Sequence, residues 1–249
     1  MDLDVFEKNY QLENRYWWYL ARSYVFDKLL SRFFPNSTGK QIIDIGCGSG
    51  GVIPMLSKHG QVLGLDIEPL ALEFCRSKGF ENVALMKGYY DTGLPSESAD
   101  LVALFDVLEH FEDDERALAE TNRILKPGGH ALISVPAFKF LWSELDDAAH
   151  HFRRYTRQDM EQKLARHGFE IIKSSYLFFF VFPLVFIHKL FGMGKKRENP
   201  KFRYQEFPSL LNKALVIPSK LEAFLLNFLR FPIGSTLVVL ARKKDYNLH

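Results

Sequence analysis

Seven short apolar runs, rich in β-branched residues and without polar alternation, are spaced along this chain among stretches of helical periodicity. That alternation limits the fold more than any other feature. The runs fall at 41–45, 62–67, 83–86, 101–106, 131–135, 169–174 and 236–241, and helical patterns at 69–78, 113–125 and 156–167 lie between them. A strand that is apolar on both sides must be covered on both faces, so the pattern predicts a mainly parallel sheet with helices on each side. Tyr16, Leu20, Tyr24, Leu29 and Phe33 recur at helical spacing before Pro35 and Asn36, which predicts an N-terminal helix. Asp113 is placed to cap the 113–125 helix, and Lys126, Pro127, Gly128 and Gly129 to stop it. About sixty residues separate the sixth run from the seventh, far more than a connection needs.

Composition narrows the class. Of 249 residues, 47% are hydrophobic and 25% charged, which excludes disordered and fibrous chains. With 32 basic residues against 30 acidic, no global charge argues for nucleic acid. Two cysteines, Cys47 and Cys75, make neither a disulfide framework nor a zinc cage, so a reducing compartment and no metal are expected. The acidic start Met1, Asp2, Leu3, Asp4 has neither a basic nor an apolar signal region, so the expectation is cytoplasmic. The charge is unevenly spread: residues 176–234 hold 9 basic and 3 acidic side chains and are also the most apolar stretch. That pairing points toward an anionic, lipid-like surface.

The first run ends in a glycine loop, Asp44, Ile45, Gly46, Cys47, Gly48, Ser49, Gly50, Gly51. Glycines at a strand-to-helix turn let a ligand approach the backbone, and Gly46, Gly48 and Gly51 satisfy the dinucleotide fingerprint. Asp44 changes that reading, because a carboxylate beside a pyrophosphate is repulsive while one near a cationic ligand is attractive. The second run ends in Asp66 and Ile67, an acid suited to ribose hydroxyls and an apolar side chain suited to a purine face.

The strings DIGCGSG, LDIEP, LPSESADLVALFDVLEHF and ILKPGGHALISVP, in this order and spacing, resemble the class I S-adenosylmethionine-dependent methyltransferases. The resemblance covers roughly residues 38–175 plus the last strand. It implies a Rossmann-like α/β fold, a doubly wound seven-stranded sheet with the last strand antiparallel, and S-adenosylmethionine as cofactor with S-adenosylhomocysteine as product. By the same resemblance Asp44, Gly46, Cys47 and Gly48 hold the methionine part, Asp66 the ribose and Ile67 the adenine. Phe105 and Asp106 stand near the sulfonium, and Arg22 joins the cofactor set. One departure concerns the acid expected directly after the glycine that follows the third strand. Here Gly88 is followed by Tyr89, Tyr90 and only then Asp91, so either a bulge returns Asp91 to the adenine or Tyr90 and backbone groups replace it.

Two further stretches resemble a narrower bacterial group, type 11: Tyr16, Trp17, Trp18, Tyr19 with Arg22, and Trp142, Ser143, Asp146 leading to His151, Phe152, Arg153, Arg154, Tyr155. The second follows the fifth strand, where open α/β sheets bind substrate, and Trp18, Trp142, Arg154 and Tyr155 are its candidate acceptor contacts. Arg153 and Arg154 also fit a solvated basic turn. His151 is the first candidate for a general base and His110 the second. A structural bond from His151 to Asp146 or Asp147, and a helix-entry bond from His110, are the competing readings. Cys47 fits the loop as a small side chain and Cys75 a helix face as a small hydrophobe.

The domain plan is one methyltransferase domain over 1–249: a helical cap at 1–36, a cofactor-binding core at 37–175, a helical insertion at 176–234, and the last strand and tail at 235–249. The expected activity is methyl transfer to a small or amphipathic, lipid-like or lipid-linked acceptor, at oxygen. Two rivals stand beside it, a non-catalytic cofactor-binding scaffold at a membrane and a nicotinamide oxidoreductase. In the insertion, residues 176–187 are too short an apolar run to cross a bilayer, which needs about 20 residues. Leu221, Phe224, Leu225, Phe228 and Leu229 mark one face of an amphipathic helix. Core packing, a homodimer interface and a cap touching the inner membrane face all fit it. The excess of Lys and Arg, including Lys195, Lys196 and Arg197, favours the last.

Overall fold

A computed structural model describes residues 10–35, 39–184, 186–187 and 208–245. Helix α1 (Trp17–Phe33) leads into β1 (Gln41–Ile45), α2 (Ile53–Leu56), β2 (Gln61–Asp66), α3 (Pro69–Ser77), β3 (Val83–Leu85) and β4 (Ala99–Phe105). Then follow α4 (Asp114–Ile124), β5 (Leu125–Pro136), α5 (Glu144–Ala148), α6 (Arg157–Arg166), β6 (Phe169–Leu177), α7 (Ser209–Leu225) and β7 (Thr236–Lys243). The strands form one sheet in the order β3-β2-β1-β4-β5-β7-β6. β7 lies antiparallel between β5 and β6, and the other pairings are parallel. The order reverses between β1 and β4, the place where open α/β sheets part their loops and admit a ligand.

The apolar runs form this sheet because both its faces are covered. One core gathers Phe26 and Leu30 of α1, Leu72 and Cys75 of α3, and Ala223 of α7 against Ile42, Leu101 and Val238. The other gathers Leu118 of α4 and Met160 and Leu164 of α6 against Ile43, Val102, Ile133 and Val239. The Asp113 side chain accepts the Arg116 N–H, as its position in the sequence predicts, and at α6 Thr156 with Asp159 closes a capping box that was not singled out. Lys126 to Gly129, expected as the stop of a helix, are the opening residues of β5 instead. Leu125 already pairs with Ala99 of β4, so the chain turns directly from helix to strand.

Helix α7 and the turn after it hold most of the predicted apolar face outward, so of the three readings of that face core packing does not hold. The inward face of α7 is Ser219, Glu222, Ala223 and, just beyond its end, Leu226. Of the predicted apolar face only Leu225 is half-buried, while Phe224 is 59% and Phe228 70% exposed. The reason is that α7 is fastened by polar groups. The Glu222 carboxylate accepts the N–H groups of Phe178 (2.6 Å) and Phe179 (3.1 Å), and the Asn212 side-chain oxygen accepts the Trp17 N–H at 2.8 Å. The second bond caps α1 from another helix, since Tyr16 at its own N-cap offers no side-chain bond. Lys195, Lys196 and Arg197 lie outside the described residues, and no described helix is long and apolar enough to cross a membrane.

Candidate active site

At the carboxyl ends of β1, β2, β4 and β5 opens a cleft of about 1030 Å³, room for a cofactor and an acceptor side by side. Its floor is the glycine loop. Gly46 has φ +71°, and a Cβ there would overlap the Val107 side chain, so only glycine fits. Gly48 also has positive φ, at +53°, but a Cβ there would meet nothing within 4 Å: the backbone faces open cleft. Behind the loop, Ser49 donates to Glu13 Oε2 at 2.5 Å, and Glu13 pairs with Lys78, whose ammonium donates to the Ser49 carbonyl at 2.6 Å. Burial lowers the Lys78 pKa to about 8. Glu13 and Lys78 were not singled out in the sequence, because a loop brace contributed by two distant segments leaves no local pattern.

Two acids face the loop. Asp66 Oδ2 accepts the Gly48 N–H at 2.9 Å and Oδ1 the Glu68 N–H at 3.0 Å. Asp44 is buried and its Oδ2 has no protein partner; burial, with Asp66 nearby, raises its pKa to about 8. A buried, unpartnered carboxylate bordering a cleft suits a cationic ligand. S-adenosylmethionine, carrying an ammonium and a sulfonium, fits this donor set and the open space over Gly48. Ile67, Cys47, Phe105 and Asp106 also line the cleft. Phe105 is stacked on Phe26 at 4.3 Å, and Arg22 pairs with Asp106 while lying over the Trp18 ring at 4.3 Å. A hydrogen bond with Cys75, then burial, pushes the Cys47 thiol far up, so no thiolate forms. Cys75 is more than a packing residue: its thiol donates to the Gly48 carbonyl at 3.2 Å.

The segments after β4 and β5 bring His110, His151 and Arg154 into the same cleft, and Trp18 of α1 also lines it. Asp146, at the N-terminal turn of α5, organises them. It accepts from Arg154 Nε (2.7 Å) and Nη2 (2.9 Å), its Oδ1 lies 2.9 Å from His151 Nδ1, and it closes the capping box with Ser143. These partners outweigh burial and hold its carboxyl well below the usual range. Burial, with His151 beside it, lowers His110 to about 4, so that ring is neutral. Glu109 is fully buried in the same corner, and burial raises its pKa to about 8.

Three expectations need correction. Asp91 is exposed outside the cleft: it closes a turn with Gly88, and its side chain accepts the Gly93 N–H at 2.8 Å. No bulge returns it, and Tyr90 does not replace it, since its hydroxyl accepts the Asp113 N–H; Tyr89 and Met86 line the cleft there. Trp142 points away and donates to Asp147 Oδ1 at 2.9 Å. Tyr155 is buried and donates to Asp114 Oδ2 at 2.8 Å, in a group that Arg153 and Lys163 complete, so Arg153 is braced rather than merely solvated. Among the described residues the cleft is lined by none from 176–234; α7 reaches it only through α1, whose Trp18, Tyr19 and Leu20 line the wall.

A family model described as "Methyltransferase domain" matches residues 43–133. A protein of Mycolicibacterium smegmatis named "Probable S-adenosylmethionine-dependent methyltransferase" is 28% identical over 160 residues, 62% of this chain and 60% of that protein. A "Ubiquinone biosynthesis O-methyltransferase" of Vibrio cholerae is 30% identical over 121 residues, 46% of this chain and 47% of that one. The chain thus spans about half the length of the curated relatives it matches. A solved S-adenosylmethionine-dependent methyltransferase of Archaeoglobus fulgidus shares the fold, with TM-score 0.56 and 17% identity over 89% of this chain and 94% of that one. Residues 43–133 therefore carry a methyltransferase domain, and the fold around them is the one that solved S-adenosylmethionine-dependent methyltransferases have.

Proposed function

We propose that the protein transfers a methyl group from S-adenosylmethionine to an oxygen of a small, amphipathic acceptor. The observation that carries this reading is the position of the Asp146–His151 pair in the same cleft as the glycine loop and the unpartnered Asp44. When bound, the cofactor supplies a methyl group already activated on a sulfonium. The chain's task is to position the acceptor, exclude water and take up a proton. Asp44 and the Gly46–Gly48 backbone hold the amino-acid end and Asp66 the ribose, with Ile67 on the adenine. Asp146 fixes the His151 ring through Nδ1, which leaves Nε2 to accept the proton of an acceptor hydroxyl. The Vibrio cholerae relative, named for O-methyl transfer in ubiquinone biosynthesis, supports oxygen as the acceptor atom.

An amphipathic acceptor, and contact with an anionic membrane surface, are supported by the outer face of α7. Leu210, Ile217, Leu221 and Phe224 fall on one stripe, Leu210 being 82% exposed, with Lys213 and Lys220 along one side. The test is release of S-adenosylhomocysteine with a panel of phenols, catechols and amines, followed by mass measurement of the products. A methylated hydroxyl supports the reading. Transfer to amines alone, or no turnover with any acceptor while the cofactor binds, removes it.

A further inference from the structure

Glu109, His110 and His151 come from two separate segments, yet one ligand-type atom of each lies within 4.8 Å of the other two. Glu109 and His110 form a short 3-10 turn after β4, and His151 follows α5. The two segments are clamped: the Phe152 N–H donates to the Glu109 carbonyl at 2.8 Å and the His151 N–H to the Asp146 carbonyl at 2.9 Å.

Each imidazole is placed by its neighbours. His151 Nδ1 is engaged by Asp146, and the His110 ring lies beside the Ala149 backbone. The rings stand edge to face with centroids 4.7 Å apart, both at the cleft surface. A ring nitrogen engaged by a carboxylate, as in His151, is the arrangement that orients metal-ligating histidines and leaves the other nitrogen for the ion. The third member carries the independent observation. Both carboxylate oxygens of Glu109 are buried without a protein partner, although the residue lines the cleft. The charges nearby sharpen this. Arg22 and Arg154 face Glu109, but Arg22 is tied to Asp106 and Arg154 to Asp146. Three carboxylates against two guanidiniums leave one negative charge uncompensated when Glu109 is ionised.

We propose that Glu109, His110 and His151 form a binding site for one divalent first-row transition-metal cation at the acceptor end of the cleft. Two imidazole nitrogens and one carboxylate suit Mn2+, Fe2+, Co2+ or Zn2+ better than Ca2+, and they leave coordination positions open. Donor atoms around such an ion lie roughly 3 Å apart at bond lengths near 2.1 Å, so the cluster needs only a small inward movement. The role of the cation rests on the methyl-transfer reading: it holds the acceptor hydroxyl by its oxygen and eases loss of its proton to solvent. His151 is then a ligand, and the cation takes over the task of an imidazole base.

Co2+ is the probe, because its visible bands report nitrogen coordination independently of activity. Apo protein prepared with a chelator is titrated with Co2+ by absorption and calorimetry, alongside His151→Ala, His110→Ala and Glu109→Gln, each checked for folding by circular dichroism. The expected result is one Co2+ per chain in the wild type and binding at least about tenfold weaker in the folded variants. Failure to bind Co2+, or equal binding in the two histidine variants, overturns the proposal even if the buried Glu109 variant does not fold. Full methyl transfer in excess chelator with no Co2+ bound overturns the cation and leaves the methyl-transfer reading standing. Stoichiometric Co2+ binding without transfer to any acceptor upholds the site and removes only the O-methyl reading.

Discussion

Asp66 Oδ2 accepts the Gly48 N–H at 2.9 Å, which locks the acid at the end of β2 to the glycine loop at the end of β1. The carboxylate that would meet the cofactor ribose therefore also fixes the backbone under it. Asp66→Ala removes a charged acceptor from both tasks and is expected to weaken S-adenosylhomocysteine binding by about 1.5–3 kcal/mol. Calorimetry checks this, and an affinity within twofold of the wild type would defeat the assignment. Asp66→Asn keeps one oxygen for the loop and should lose less.

Much of the fold was legible because it follows from local rules. The apolar runs of β1 and β7 begin at Gln41 and Thr236, the positions where their periodicity begins, and Asp113 caps the helix it precedes. The cofactor end of the cleft was legible for a similar reason: Asp44, Gly46, Gly48 and Asp66 sit at strand ends that topology brings together. What stayed hidden depends on contacts between distant segments. Asp91 was misplaced because the turn that Gly88 closes with it is set by backbone bonds, which side-chain spacing does not encode. Tyr155 reads as a substrate contact in its string, yet its burial depends on Asp114, forty-one residues away. Glu109 showed only as part of a motif, since its lack of partners exists only in three dimensions.

The Glu222 carboxylate is buried between α7 and the residues that follow β6, and burial raises its pKa from 4.5 to about 7. Below pH 4.5 it is protonated both folded and unfolded. As pH rises from 4.5 to 7 the unfolded chain gives up its proton first, so this group lowers stability across that window and by a constant amount above it. Glu222→Gln keeps one oxygen to accept from Phe178 or Phe179, loses the other acceptor at every pH, and carries no charge to bury. Its melting temperature relative to the wild type should rise between pH 5 and pH 8, by an amount worth about 1–3 kcal/mol. A difference that stays flat across that range would mean that the Glu222 charge is not buried in solution.

The stripe on α7 makes a claim about surfaces. Four large apolar side chains on the outer face of one helix, with lysines beside them, are expected to bind anionic vesicles at low salt and to release them at high salt. Replacing Leu210, Ile217 and Phe224 with Ser removes the apolar part and leaves Lys213 and Lys220 in place. Co-sedimentation should fall by at least about tenfold, since insertion contributes about 25 cal/mol for each Å² of apolar area. Equal recovery in the supernatant with anionic and neutral vesicles would rule out surface binding. A wild type that sediments as a dimer, and a variant that does not, would assign the stripe to a second copy of the chain.

His151 and Asp146 form a pair, but their losses should differ in kind. Asp146 is almost fully buried and pairs at once with Arg154, His151 and the Ser143 backbone N–H. Removing it leaves the Arg154 guanidinium with only the Ala137 carbonyl, so Asp146→Ala should cost about 3–5 kcal/mol of stability. His151 reaches the cleft, and its other ring nitrogen is free of the Asp146 bond. Its removal leaves the Asp146–Arg154 pair intact, so His151→Ala should melt within a few degrees of the wild type. Turnover should nevertheless fall at least about a hundredfold, whether the ring takes the acceptor's proton or holds a cation that eases its loss. Cofactor affinity should stay near normal, because the ring comes from the segment after β5, while Asp44 and Asp66 belong to β1 and β2. Turnover close to wild type in this folded variant would leave the chain with positioning alone, and no group at residue 151 taking part in the chemistry.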